Sequence, residues 1–129
     1  MKKNSKKILI VEDDLSILSS LVDKFEDEGF NVFKAQDGEH GLEAVKKEKP
    51  DLVLIDIMLP KMDGIAMAKE IKKLGFGTLM MFLTNLSDSE HISKAMEINI
   101  TDYLVKTDWN INDVVGRVKQ KLGLKQVKN

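Results

Sequence analysis

The chain has 129 residues, 43% of them hydrophobic, and a net charge of −1. It therefore has the size of one domain with a substantial core, and its charge favours neither nucleic acid nor an anionic membrane surface as a direct partner. There is no cysteine, which excludes disulfides and thiolate metal sites. No stretch has the length and apolarity of a signal peptide or a membrane span, so we expect a cytoplasmic protein.

Short apolar runs, each ending in polar residues, recur along the chain and predict strands. Three of them lack polar alternation, which is typical of central parallel strands covered on both faces. A run at 31–34 is brief and flanked by polar residues, as edge strands are. The five predicted strands cover residues 7–11, 31–34, 52–55, 78–83 and 102–105.

Helical spacing of apolar residues fills the intervals between these runs. The first predicted helix follows an N-cap at Asp14 or Ser16 and ends at Gly29, and the second starts at Asp37 or Gly38. Gly38 and Gly41 are expected to weaken the start of that second helix. The remaining predicted helices cover about 65–73, 87–97 and 110–122.

Alternating strands and helices predict a doubly wound α/β fold. We expect a flavodoxin-like three-layer sandwich with a five-stranded parallel sheet in the order 2-1-3-4-5 and five helices. Residues 1–129 would form a single domain, with a core at about 7–123 and short flexible ends.

The carboxyl ends of parallel strands meet at one edge of the sheet, where such folds bind ligands. Three predicted strand ends carry oxygen groups and one carries an amine. Clustered carboxylates repel one another, and an oxygen-only site of this kind suits Mg²⁺. A hydroxyl and a fixed cation beside a metal-bound carboxylate also suit a phosphoryl group. The residues concerned are Glu12, Asp13, Asp14, Asp56, Thr84 and Lys106.

Each of these residues also has a purely structural explanation. Acidic residues are common before helices, threonine is a good strand residue, and a lysine at a strand end commonly points to water. The functional interpretation rests on their joint placement at one edge.

The ordered set of motifs resembles the receiver domain of two-component response regulators. The segment ILIVEDD forms the first strand and its acidic end, and Asp56, Pro60 and Gly64 follow an Asp-x-x-x-Pro-x-x-x-Gly pattern. Thr84 follows the fourth strand, and TDYLVK ends in Lys106. The resemblance covers nearly the whole chain.

That resemblance implies a phosphorelay protein that takes a phosphoryl group from the phosphohistidine of a sensor histidine kinase or phosphotransfer protein. It implies a signalling acceptor rather than an enzyme. Asp56 would be the phospho-acceptor, and Mg²⁺ would be held by Asp56, Glu12, Asp13 and the main-chain carbonyl of Met58. Thr84 and Lys106 would contact the phosphoryl group.

The resemblance also implies a switch. Tyr103 would turn inward when Thr84 moves toward the phosphoryl group, and a downstream protein would bind the face formed by the fourth helix, fifth strand and fifth helix. The chain would act as a monomer or weak homodimer.

Two departures from the family pattern keep an alternative open. Thr107 stands where receivers usually have proline, and Asn85 stands where they have a small residue. An interaction module that is never phosphorylated is therefore the alternative. A small-substrate phosphatase is disfavoured because no inserted segment forms a cap, and a flavodoxin-type carrier because no phosphate loop follows the first strand.

Overall fold

The computed structural model describes residues 6–84, 93, 97, 103–105 and 110–124. Within them, a parallel sheet has the order β2-β1-β3-β4-β5, with β2 at one edge. Its strands are β1 (Lys7–Val11), β2 (Asn31–Ala35), β3 (Leu52–Asp56), β4 (Leu79–Thr84) and β5 (Tyr103–Val105). The order reverses between β1 and β3, so the ends of these neighbouring strands flank the switch point of the sheet.

Four helices accompany the sheet in the described residues, and each begins at a side-chain cap. They are α1 (Leu15–Asp27), α2 (Gly38–Glu48), α3 (Gly64–Leu74) and α4 (Ile111–Lys121). Their N-caps are Asp14, Asp37, Asp63 and Asn110, whose side chains accept backbone N–H groups of the first turn. No helix in these parts of the chain is both long and apolar enough to cross a membrane.

The flavodoxin-like parallel α/β fold expected from the sequence is confirmed. The helix predicted at 87–97 lies outside the described residues except for Ser93 and Glu97, which are helical. A fifth helix therefore stays a prediction.

The sheet separates two apolar cores because successive strand residues point to opposite faces. Leu9 and Val11 of β1 join the core beneath α2 and α3, whereas Ile8 and Ile10 join the core beneath α1 and α4. All four are fully buried. The continuous apolar runs of β1 and β3 follow from this, since a strand covered on both faces has no side for polar residues.

Two glycines allow the segment after β3 to pack closely. A Cβ on Gly38 would lie 2.1 Å from the carbonyl oxygen of Met62, and a Cβ on Gly64 would lie 2.4 Å from that of Asp56. Gly38 was expected only to weaken α2, but the structure shows that α2 can approach the segment after β3 only because position 38 lacks a side chain. Close approach of backbones is a use of glycine that helix propensity does not describe.

We predict that Gly64→Ala destabilises the fold by about 1–3 kcal/mol, because the new methyl group meets backbone atoms that cannot move aside cheaply. Urea unfolding followed by circular dichroism would measure this loss. Lys69→Ala, an exposed change in the same helix, is the matched control. Equal unfolding midpoints for the two variants would contradict the packing argument.

An ion pair joins the first and last helices of the described chain. Lys119 of α4 donates a hydrogen bond to Glu28 at the end of α1, and Lys24 lies 3.5 Å from the same carboxylate. Only 18% of the Lys119 side chain is exposed. The hydrogen bond from Lys119 holds the pKa of Glu28 below its ordinary value of 4.5.

Because the folded-state pKa of Glu28 is lowered, this pair should stabilise the protein above pH 4.5 and lose that effect as the pH falls through the folded-state pKa. We therefore expect Glu28→Gln to cost about 0.5–1 kcal/mol at neutral pH. The gap to the parent should close in acid. Urea unfolding across pH measures both.

Glu70→Gln supplies the comparison, because Glu70 pairs with Lys73 on an exposed surface and such pairs contribute little. A Glu28→Gln deficit that persists unchanged in acid would rule out the ionic explanation.

Candidate functional site

Glu12 follows β1 directly and is fully buried. Its backbone N–H donates to the carbonyl of Ala35 at 3.0 Å, which extends the pairing of β1 with β2 by one residue. Its Oε2 accepts the backbone N–H of Asp14 at 3.1 Å. The turn into α1 therefore folds back on this carboxylate and fixes it at the carboxyl edge of the sheet.

Asp56 is the last residue of β3 and is only 3% exposed. The backbone of β3 continues its pairing with β4 beyond it, because the N–H of Ile57 donates to the carbonyl of Leu83 at 3.1 Å. Oδ1 of Asp56 accepts the N–H of Met58 at 3.1 Å. This bond orients the carboxylate.

Glu12, Asp13 and Asp56 form one acid cluster. Each offers a carboxylate oxygen, and these oxygens all lie within 4.8 Å of one another. Asp13 is exposed, whereas the other two are buried. The cluster thus combines a solvent-facing acid with two acids held by the sheet, and three such oxygens can hold a hard divalent cation.

The other residues predicted for the site are described in part. Thr84 ends β4, one position beyond Leu83, which is the register partner of Asp56. Tyr103 begins β5 and is the register partner of Phe82, and Val105 is that of Thr84. The backbone therefore brings Thr84 to the same edge as the acid cluster. Lys106, like Asn85 and Thr107, lies outside the described residues.

The 57–63 loop joins Asp56 to α3 and is held by its own backbone. The N–H of Gly64 donates to the carbonyl of Ile57 at 2.9 Å, which closes the loop. At its tip, the N–H of Met62 donates to the carbonyl of Pro60 at 2.7 Å, and Lys61 between them has φ of 67°. A left-handed lysine in so tight a turn is strained. Met58 is 61% exposed, so the loop presents an apolar side chain beside the acids.

Asp37, the N-cap of α2, was not among the predicted site residues, yet it lies against this loop. Its Oδ2 is 2.7 Å from Nδ1 of His40 and 3.8 Å from Nζ of Lys61. The bond from the backbone N–H of His40 holds the pKa of Asp37 below its ordinary value. The Asp-Gly pair at 37 and 38 is the signal that could have indicated such a contact, since it combines a cap with a position open to close approach.

Parallel α/β architecture and a carboxylate cluster at the switch point define a flavodoxin-like protein with a candidate cation site. Comparison with known proteins specifies the family. The sequence model of the response regulator receiver domain family matches residues 8–119. The chain belongs to this family and is thus a receiver domain of two-component systems. Receiver domains interact with histidine kinases or phosphotransfer proteins.

Two relatives from Bacillus subtilis illustrate the range of lengths in the family. The chain is 34% identical to sporulation initiation phosphotransferase F, over 94% of this chain and 97% of that protein. It is 39% identical to the alkaline phosphatase synthesis transcriptional regulatory protein PhoP, over 89% of this chain but 48% of PhoP. The chain thus spans about half the length of PhoP.

A solved structure agrees with the fold. The CheY-like response regulator receiver domain protein from Methanospirillum hungatei superposes with a TM-score of 0.87 at 32% identity, covering 93% of this chain and 95% of that one.

The mutual repulsion of the acid cluster gives a measurable prediction. We expect Asp13→Asn to stabilise the protein by about 1 kcal/mol in the presence of EDTA, because it removes one of three neighbouring negative charges. Urea unfolding would detect the gain. Glu43→Gln removes an exposed acid from the middle of α2 and should leave stability unchanged; an equal gain in both variants would point to overall charge instead.

Proposed function

We propose that Asp56 accepts a phosphoryl group from the phosphohistidine of a sensor histidine kinase or phosphotransfer protein. The observation that carries the proposal is the placement of this carboxylate: it is buried at a strand end, oriented by the N–H of Met58, and grouped with two further acids. Membership of the receiver family supports the same role.

The transfer is a displacement at phosphorus. A carboxylate oxygen of Asp56 forms the new P–O bond while the P–N bond to the donor imidazole breaks. The imidazole nitrogen that leaves takes up a proton, and the product is an acyl phosphate on this chain. Positioning carries most of the catalysis in such reactions, and the Met58 N–H supplies it by fixing the carboxylate.

Mg²⁺ is the proposed cofactor. The three acids fit it because they present only oxygen atoms, which this ion prefers, and because one of them faces solvent, where the ion keeps its waters. Glu12, Asp13 and Asp56 would hold it, with the main-chain carbonyl of Met58 as a further ligand. Bound there, it would neutralise the charge that the acids and the phosphoryl oxygens bring together.

In this proposal the protein is a signalling acceptor and not an enzyme with a separate substrate. Thr84 and Lys106 contact the phosphoryl group, and Tyr103 responds to the shift of Thr84. A downstream protein partner reads the change on the face formed by the helix predicted at 87–97, β5 and α4. The chain acts as a monomer or weak homodimer. A relay role is supported by the similarity to a phosphotransferase over almost its entire length.

Intact-mass analysis after incubation with acetyl phosphate or phosphoramidate tests the chemistry. We expect the parent protein to gain one phosphoryl group when Mg²⁺ is present and none in EDTA. Asp56→Asn should gain none under either condition, because an amide is not a competent nucleophile here.

Asp27→Asn should be labelled like the parent, which separates Asp56 from exposed acids in general. Circular dichroism checks that Asp56→Asn is folded. Failure of the parent to gain mass, although it is folded and binds Mg²⁺, would contradict the proposal and favour the interaction module that is never phosphorylated.

A further inference from the structure

A pocket lies at the amino ends of the strands, which is the end of the sheet opposite the acid cluster. Its volume is about 430 Å³, within the range of about 300–1,000 Å³ that is common for small-molecule sites. The segments that line it come just before β1, β3 and β4 and just after α4. We call it the amino-edge pocket, and its lining includes Lys6, Lys49, Asp51, Phe76 and Leu122.

Phe76 gives the amino-edge pocket an aromatic surface. The residue is 44% exposed and is the aromatic member of the exposed large hydrophobic side chains in the described residues. It lies between Gly75 and Gly77, whose φ values of 70° and 74° are left-handed and whose Cβ positions would meet no atom within 4 Å. The loop therefore presents Phe76 to solvent without burying its neighbours.

Lys49 holds a positive charge over this ring. Its Nζ lies 5.4 Å from the centroid of Phe76. Lys49 ends α2 with φ of 49°, a left-handed conformation in which glycine or asparagine is the usual residue. A lysine in this position costs backbone strain, so a role for its side chain has to be sought in what the ammonium group contacts.

The charge around the pocket favours an anion. Two lysines, Lys6 and Lys49, line it against one acid, Asp51, whose Oδ2 accepts the backbone N–H of Lys7 at 2.8 Å. Lysines in the last turns of α2 and α3 add to the positive field, although they also complement the helix dipoles and do not by themselves indicate a ligand.

We propose that the amino-edge pocket binds a small anion that carries a planar ring, the chemistry of a nucleoside monophosphate. The ring would pack against the exposed part of Phe76, and the anionic group would pair with the ammonium groups of Lys49 and Lys6. This site is separate from the acid cluster and does not depend on the role proposed for Asp56.

Backbone amide shifts of Gly75 and Gly77, followed by NMR during titration, test the proposal. Adenosine monophosphate carries both ring and charge, whereas adenosine and inorganic phosphate each carry one. We expect saturable binding of the monophosphate that is at least about tenfold tighter than that of either part. Asp56→Asn should bind it as the parent does.

Two variants locate the site. Lys49→Gly and Phe76→Leu should each weaken binding about tenfold, and Lys49→Gly should keep or raise the urea midpoint because it removes the left-handed side chain. Lys72→Gln, a nearby lysine outside the pocket lining, should bind normally. The proposal is overturned by an absence of saturable shifts, by equal affinity for inorganic phosphate and the monophosphate, or by equal losses in Lys72→Gln and Lys49→Gly.

Discussion

The site depends on one electrostatic constraint: three carboxylates must be held within 4.8 Å of one another although two are buried. Like charges at that separation repel, and desolvation of Glu12 and Asp56 adds to the cost. The apolar burial of β1 and β3 offsets this cost, since the side chains of Ile8–Val11 and of Leu52–Ile55 are fully buried. The acid cluster therefore keeps an electrostatic repulsion in the folded protein, and a bound cation or a change in charge at Asp56 can reduce it.

The sequence was sufficient for the framework because its signals are local. Apolar runs without alternation identify buried parallel strands. Capping residues limit the start of α1 to Asp14 or Ser16, and the structure shows that the cap is Asp14. The meeting of Glu12, Asp13 and Asp56 then follows from parallel topology, without knowledge of any side-chain contact. These predictions required only knowledge of which residues lie at the ends of the strands.

Contacts between segments distant in the chain could not be predicted in the same way. The approach of Gly38 to Met62 depends on how α2 packs beside the 57–63 loop, which no local pattern encodes. The pairing of Asp37 with Lys61 depends on the same packing. The amino-edge pocket was missed for a related reason: Lys49 and Phe76 belong to different loops, and each alone is an ordinary surface residue.

The position of the two ends of the described core has a practical consequence. Lys6 precedes β1 and Leu122 follows α4, yet both line the amino-edge pocket. The two ends of the described core therefore lie near each other, on the far side of the sheet from Asp56. A reporter protein or surface tether attached beyond either end of this core leaves the acid cluster accessible. A linker between the two ends would create a circular permutant, whose new termini can be placed in another loop.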